Sequence, residues 1–187
     1  KALVYVPTLT CASSYYAKVL SNHNWTPIKL KDIDFERQTV FGFLLHPTVR
    51  YAKGAATDLF EVGIENLIMN FVGARFWEYP PILGVHTVPV TMIYKNIYNK
   101  IHWLPLDTPS VNTNQELVKL CQEHNEGLLL PDSRENVSTD HQKKIYQTIE
   151  KLVAGAGETW YNMLYPEEIE LYINVEKQYE SITKIDH

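Results

Sequence analysis

The sequence has few cysteines and no long apolar run, and each shortage excludes a class of protein. Two cysteines, Cys11 and Cys121, in 187 residues are too few for a disulfide framework. We therefore expect a reducing compartment, with a chance bridge between the two as the alternative. The chain contains neither a membrane-length apolar run nor a charged-then-apolar leader, so we expect no membrane span and no secretory signal.

Positive charge is also scarce. The chain carries 17 lysines and arginines against 22 aspartates and glutamates, which gives a net charge of -5 and a pI near 5.8. Because a protein that binds nucleic acid needs a basic surface to neutralise phosphates, we expect no nucleic-acid partner. A local basic pocket is still compatible with this balance.

The remaining composition is that of an ordinary globular protein. Apolar residues make up 45% of the chain and charged residues 21%, and neither an internal repeat nor a low-complexity tract is visible. A chain of this length can bury about two thirds of its unfolded surface around one core. We predict a single domain over residues 1–187.

Strands and helices alternate in the first half, and helices fill the second. A residue before proline avoids the helical region, so a helix should begin at or after Pro47 and loosen at Gly54. A separate helix should follow over 57–71, with Thr57 or Asp58 as its cap. This order predicts an α/β domain with helices on both sides of a short central parallel sheet. The further predicted elements are strands at 2–6, 26–30, 39–45 and 101–106, a helix from residue 14, and helices at 113–124, 139–153 and 166–179.

The stretch "PTLTCASS" joins the first strand to the first helix. Such a corner can present backbone N–H groups and a helix N-terminus to one anion. It has no glycine for close backbone approach and no lysine to meet a phosphate. The hydroxyls could donate instead, or they could simply cap the helix and complete the turn. They belong to Thr8, Thr10, Ser13 and Ser14.

A second strand-to-helix corner, "LHPTVRYAK", carries Arg50 and Lys53 in the first turns of its helix. Two cations three residues apart lie on nearly the same face, and they oppose the positive end of the helix dipole unless an anion joins them. This misfit indicates an anionic ligand. The alternative is a solvated basic face on which Arg50 extends over the core.

Together, in this order, the two corners resemble the sulfotransferase superfamily, whose donor is 3′-phosphoadenosine 5′-phosphosulfate. "VPTLTCAS" stands where the family has P-K-x-G-[CST]-[ST], with Pro7 and Cys11 matching. "LHPTVRYAK" is similar to R-D-P-x-x-R-x-x-S and keeps Pro47 and Arg50. "GVHTVPVTMIY", "KIHWLPLD", "ENVST" and "MLYPEEIELYINV" are similar to later family segments, so the resemblance covers most of the chain.

The resemblance implies a P-loop-like sulfotransferase core with a donor site that this sequence alters. Residues 8–14, Cys11 among them, would cradle the 5′ end of the donor, and Arg50 and Lys53 would lie near its 3′-phosphate. The chain departs from the family at the catalytic lysine, the loop glycine, the arginine for the 3′-phosphate, its neighbouring aspartate and the serine. They are replaced by Thr8, Thr10, Leu45, His46 and Lys53. Loss of the cationic anchors would weaken charge-assisted bonds to the donor and slow sulfuryl transfer.

A base must take the proton of the acceptor hydroxyl. His86 is the first candidate, because histidine side chains titrate near neutrality and the resemblance places it between donor and acceptor. Glu61 and Glu65 are alternatives, and a purely structural histidine is the competing interpretation. The seven histidines follow no metal-ligand spacing, so we predict no metal cofactor.

Two hypotheses follow. In the first, the protein transfers a sulfuryl group from the donor to a hydroxyl of a carbohydrate or small molecule. In the second, it is a catalytically inactive sulfotransferase fold that binds protein partners or assembles with itself, for example as a structural subunit of a virus. Either protein would be soluble, cytoplasmic or virion-associated.

Overall fold

The structure is a computed structural model that describes residues 1–8, 13–22, 28–63, 84–128, 130, 140–156, 161 and 165–183. The chain divides into two compact units. Unit 1 comprises Lys1–Leu45, Asn96–Glu135 and Leu171–His187, and unit 2 comprises His46–Lys95 and Asn136–Glu170. The prediction of a single domain stays a prediction.

Unit 1 is built on a three-stranded parallel sheet. Its strands are β1 (Ala2–Tyr5), β2 (Gln38–Leu44) and β3 (His102–Pro105), in the order β1-β2-β3. Tyr5 pairs with Phe41, and Phe41 pairs with His102. The buried β2 residues run continuously from Val40 to Leu44, as expected of a central parallel strand covered on both faces.

Helices of unit 1 contribute their apolar faces to its core. Helix α1 (Ser13–Asn22) buries Tyr16, whose ring stacks on Phe43 of β2 with centroids 3.8 Å apart. Helix α4 (Thr113–Glu123) is capped by the Asn112 side chain, which accepts from the Gln115 backbone N–H. The part of helix α6 (Pro166–Thr183) that belongs to unit 1 buries residues at helical spacing, namely Leu171, Tyr172, Val175 and Tyr179.

Unit 2 is helical in its described part. It contains α2 (Pro47–Val62), the short α3 (Val90–Ile93), α5 (Asp140–Ala156) and the first residues of α6. Helices α2 and α5 pack against each other. Tyr51 and Ala55 of α2 form a buried cluster with Tyr161 and Tyr165.

The predicted α/β class and parallel sheet are confirmed, as are three of the four strands and the helices at 113–124, 139–153 and 166–179. The strand predicted at 26–30 is wrong for its described residues, because residues 28 and 29 belong to no strand and Leu30–Asp32 forms a 3₁₀ turn. Residues 26 and 27 lie outside the described residues.

The helix boundary predicted near Gly54 is also wrong. Helix α2 runs without a break through Gly54 and ends at Gly63, whose φ of 79° favours glycine. Thr57 is not a cap, because its hydroxyl donates to the Lys53 carbonyl of the preceding turn. Asp58 is likewise internal to α2. The rest of the predicted helix, from residue 64 to 71, lies outside the described residues.

Within the described ranges, we find no helix with the length and apolar character needed to cross a membrane.

Candidate functional site

The candidate site lies in unit 2, where a histidine meets a buried carboxylate. His86 Nδ1 is 2.7 Å from Asp58 Oδ1, and the His86 backbone N–H points at the same oxygen at 3.5 Å. Thr87 Oγ1 donates to Asp58 Oδ2 at 3.3 Å. Asp58 is 2% exposed, whereas the His86 side chain is 16% exposed. The carboxylate is therefore internal, and the imidazole reaches the surface.

Two glycines create the space for this contact. A Cβ atom at Gly84 would lie 2.6 Å from the Asp58 carboxylate. A Cβ atom at Gly54 would overlap the His86 carbonyl oxygen and lie 2.7 Å from its carbonyl carbon. Both positions thus need glycine so that the turn 84–88 can approach α2 closely.

The geometry defines which imidazole nitrogen is basic. An ionised carboxylate only accepts hydrogen bonds, so the proton of neutral His86 must be on Nδ1, facing Asp58. Nε2 then carries the lone pair. A histidine held in this tautomer can remove a proton from a hydroxyl at Nε2, while Asp58 stabilises the imidazolium that forms.

The second predicted base, Glu61, lies on the same side of α2 as Asp58. Its Oε2 is 3.9 Å from His86 Nδ1, and its side chain is 59% exposed. At that distance and exposure the pair is a weak ion pair at most. Asp58, rather than Glu61, is the close partner of His86. Glu65 lies outside the described residues.

Arg50 is buried in a separate ion pair of the same unit. Its Nε donates to Glu168 Oε1 at 2.9 Å and its Nη2 to Glu168 Oε2 at 3.4 Å. The side chains of Arg50 and Glu168 are 1% and 0% exposed. The anion that the sequence indicated near Arg50 therefore has a counterpart within the protein, the Glu168 carboxylate. Donor binding by Arg50 stays a prediction.

Glu168 accepts from two further groups. The Tyr161 hydroxyl donates to Oε2 at 2.6 Å, and the Val90 backbone N–H donates to Oε1 at 3.1 Å. Burial, followed by the neighbouring carboxylate, raises the pKa of Tyr161 far above its ordinary value. The phenol therefore remains a proton donor, and the buried carboxylate has its lone pairs satisfied.

Of the other residues of the predicted second corner, His46 and Lys53 belong to unit 2 and Leu45 belongs to unit 1. Lys53 is exposed, with Nζ 5.9 Å from the centroid of the Tyr146 ring. His46 precedes α2, and its Nδ1 is 2.8 Å from Thr48 Oγ1. Leu45, which stands where the family has an arginine, is buried in unit 1. Lys53 is thus a cation with access to solvent.

The first predicted corner belongs to unit 1. Thr8 is 1% exposed, and its hydroxyl has no hydrogen-bond partner within the described part of the chain. Ser13 and Ser14 begin α1, which confirms the predicted start of that helix. Thr10 and Cys11 lie outside the described residues. The cradle predicted for the donor therefore stays a prediction.

Among the residues that the structure describes, no three or more histidine, cysteine, aspartate or glutamate side chains are grouped to hold a metal ion. Cys121 is a free, buried thiol. Comparison of the chain with family models, curated proteins and solved structures finds no match. The resemblance described above therefore rests on the sequence motifs alone.

Sequence reasoning missed two residues of this site. Asp58 was interpreted as a helix cap, and Glu168 was placed within the helix predicted at 166–179. The Asp58–Glu61 spacing predicts two acidic groups on one helix face, but their proximity to His86, 28 residues away, is seen only in the structure. Nothing local to Glu168 indicates its partner, which lies 118 residues away.

Proposed function

We propose that the protein is a sulfotransferase-like α/β protein that acts on the hydroxyl of a carbohydrate or small molecule, with His86 as general base. The observation that supports a proton-transfer role is the 2.7 Å contact between His86 Nδ1 and the buried Asp58 carboxylate. A carboxylate that orients an imidazole is a common arrangement in acid–base catalysis. Asp58 acts through His86 and is a positioning residue in this proposal.

The donor in this proposal is 3′-phosphoadenosine 5′-phosphosulfate, bound by a P-loop-like core with helices on both faces of the sheet. The 5′ end would lie against residues 8–14, and the 3′-phosphate near Lys53. Because the charge of Arg50 is already paired with Glu168, its attraction for the donor would be reduced. Lys53, which is exposed, would then supply most of the side-chain charge.

The alternative is an inactive sulfotransferase fold that serves as a binding or assembly module, for example in a virus particle. The buried Arg50–Glu168 pair favours it, since a side chain at 1% exposure that is bonded on several sides is poorly placed to meet a nucleotide. Its partners would be proteins or further copies of the chain, and its location cytoplasmic or virion-associated.

Titration with 3′-phosphoadenosine 5′-phosphate, the product of sulfuryl transfer, separates the two proposals. If the ligand binds, the free energy of unfolding should rise by about 2.7 kcal/mol at a ligand concentration a hundredfold above the dissociation constant. Lys53→Ala should weaken binding strongly, whereas Lys143→Ala, an exposed lysine on α5, is the matched control. Absence of any stabilisation at millimolar ligand would reject donor binding and leave the assembly module.

If the ligand binds, transfer from the labelled donor to a panel of sugars and small alcohols tests the base. His86→Gln and Asp58→Asn should each lower the rate by about 10²- to 10⁴-fold, the usual contribution of a positioned base. Glu61→Gln is the comparison, because Glu61 is exposed and its Oε2 lies 3.9 Å from Nδ1, farther than Asp58 Oδ1 at 2.7 Å. A large loss in Glu61→Gln with little change in His86→Gln would assign the base to Glu61.

A further inference from the structure

We propose that the buried Arg50–Glu168 pair is a positioning device for His86. The inference rests on the proposed function, because it explains how the proposed base is held. Arg50 makes one contact that the ion pair does not require. Arg50 Nη1 donates to the backbone carbonyl of His86 at 3.3 Å, in addition to the two bonds from Arg50 to Glu168.

The pair holds the His86 segment at two points. Arg50 bonds the carbonyl of His86, and Glu168 Oε1 accepts from the backbone N–H of Val90. The chain between these two points is only a turn and the start of α3. An arginine is suited to this task, since its planar guanidinium can satisfy a carboxylate and a carbonyl simultaneously in fixed directions.

Asp58 contacts the same segment through other atoms. It faces the His86 ring and backbone N–H and accepts from Thr87 Oγ1. Two buried charged groups therefore contact the His86 backbone, one at its N–H and the other at its carbonyl. The ring orientation depends on both, because the 2.7 Å contact of Nδ1 requires a fixed backbone. A displacement near 1 Å at a catalytic group can cost about 100-fold in rate.

The experiment measures the imidazole tautomer of His86 directly by ¹⁵N NMR, at a pH where the ring is neutral. The signal is assigned by its disappearance in H86Q. In the unaltered protein we expect one tautomer with the proton on Nδ1, and Arg50 guanidinium protons that exchange slowly with water. Rapid exchange of those protons would overturn the proposal without any substitution.

The decisive variant is R50M/E168L. Removal of both charges leaves no uncompensated ion, and apolar replacements of buried pairs are often tolerated. We expect the double variant to fold while the His86 signal loses its single tautomer and becomes averaged. R50K retains the charge but not the planar fork, so it should show the same loss. A folded double variant or R50K with the original His86 signal would overturn the proposal.

Tyr161→Phe is the matched control. It removes the bond from the Tyr161 hydroxyl to Glu168 and the 3.4 Å bond from Arg50 Nη2 to that hydroxyl. It leaves the bond of Arg50 Nε to Glu168 and the contact of Arg50 Nη1 with the His86 carbonyl. A purely structural role of the network predicts similar loss of stability in Y161F and R50K with no change at His86. The NMR result is independent of donor binding. A change at His86 without binding of 3′-phosphoadenosine 5′-phosphate would keep the positioning role and reject the proposed function, and the reverse result would reject only the positioning role.

Discussion

Substitution of Gly54 by alanine sets two effects of opposite sign against each other. In an exposed helix interior, glycine to alanine stabilises by about 1 kcal/mol. At this position the new Cβ would lie 2.7 Å from the His86 carbonyl carbon and 3.2 Å from Thr87 N. Since carbon atoms pack at about 3.5 Å or more, α2 and the turn must separate by at least about 0.8 Å.

The free-energy cost of that separation should exceed the stability gained from the higher helix propensity of alanine. Overpacking of this kind costs about 1–3 kcal/mol, and the Arg50 bond to the His86 carbonyl, already 3.3 Å long, would contribute about 1 kcal/mol more if broken. We therefore expect Gly54→Ala to lower the free energy of unfolding by about 1–3 kcal/mol after the propensity gain is subtracted.

The assay is urea unfolding followed by tryptophan fluorescence, for which the chain has four tryptophans. Gly127→Ala is the control, because a Cβ atom there meets nothing within 4 Å, and its effect should stay within about 0.5 kcal/mol. A Gly54→Ala protein that is as stable as the unaltered chain, or more stable, would refute the close approach of the turn to α2.

Three further predictions concern buried titratable groups. Tyr161→Phe removes the 2.6 Å bond to Glu168. It should lower the free energy of unfolding in urea by about 1.5–3 kcal/mol, as expected for a hydrogen bond to a charged acceptor. An unfolding curve with unchanged midpoint and slope would contradict this prediction. Burial lowers the pKa of His102 from 6.5, so the neutral form is favoured by folding, and stability should be complete above pH 6.5 and decline as the pH falls below it. Unfolding measured between pH 5 and 7.5 should show a weaker decline in His102→Gln, and an identical decline would rule out His102 as its source. Burial raises the pKa of the Cys121 thiol to about 11. In a Cys11→Ser variant, a thiol reagent should therefore react with Cys121 only as fast as the protein opens. Immediate reaction of the folded protein would contradict this prediction.

The strands and most helices could be predicted because their signals are local. β2 is a continuous apolar run, and the helix at Thr113–Glu123 has a side-chain cap and regular apolar spacing. The helix boundary predicted at Gly54 is wrong because that prediction also used a local signal. The low helix propensity of this glycine is a local property, whereas its role is to admit the carbonyl of His86, 32 residues away in the sequence. Tertiary packing therefore overrode propensity at this residue.

The same distinction between local sequence signals and tertiary contacts applies to the candidate site. The sequence by itself determined the α/β class, the parallel sheet and His86 as the residue to test, because periodicity and side-chain chemistry are written in the chain. Only the tertiary structure decided that Asp58 is the partner of His86 and that Glu168 is the partner of Arg50. Burial of a charge is costly unless an opposite charge or hydrogen bonds compensate it, and which group compensates depends on segments that meet only when the chain folds.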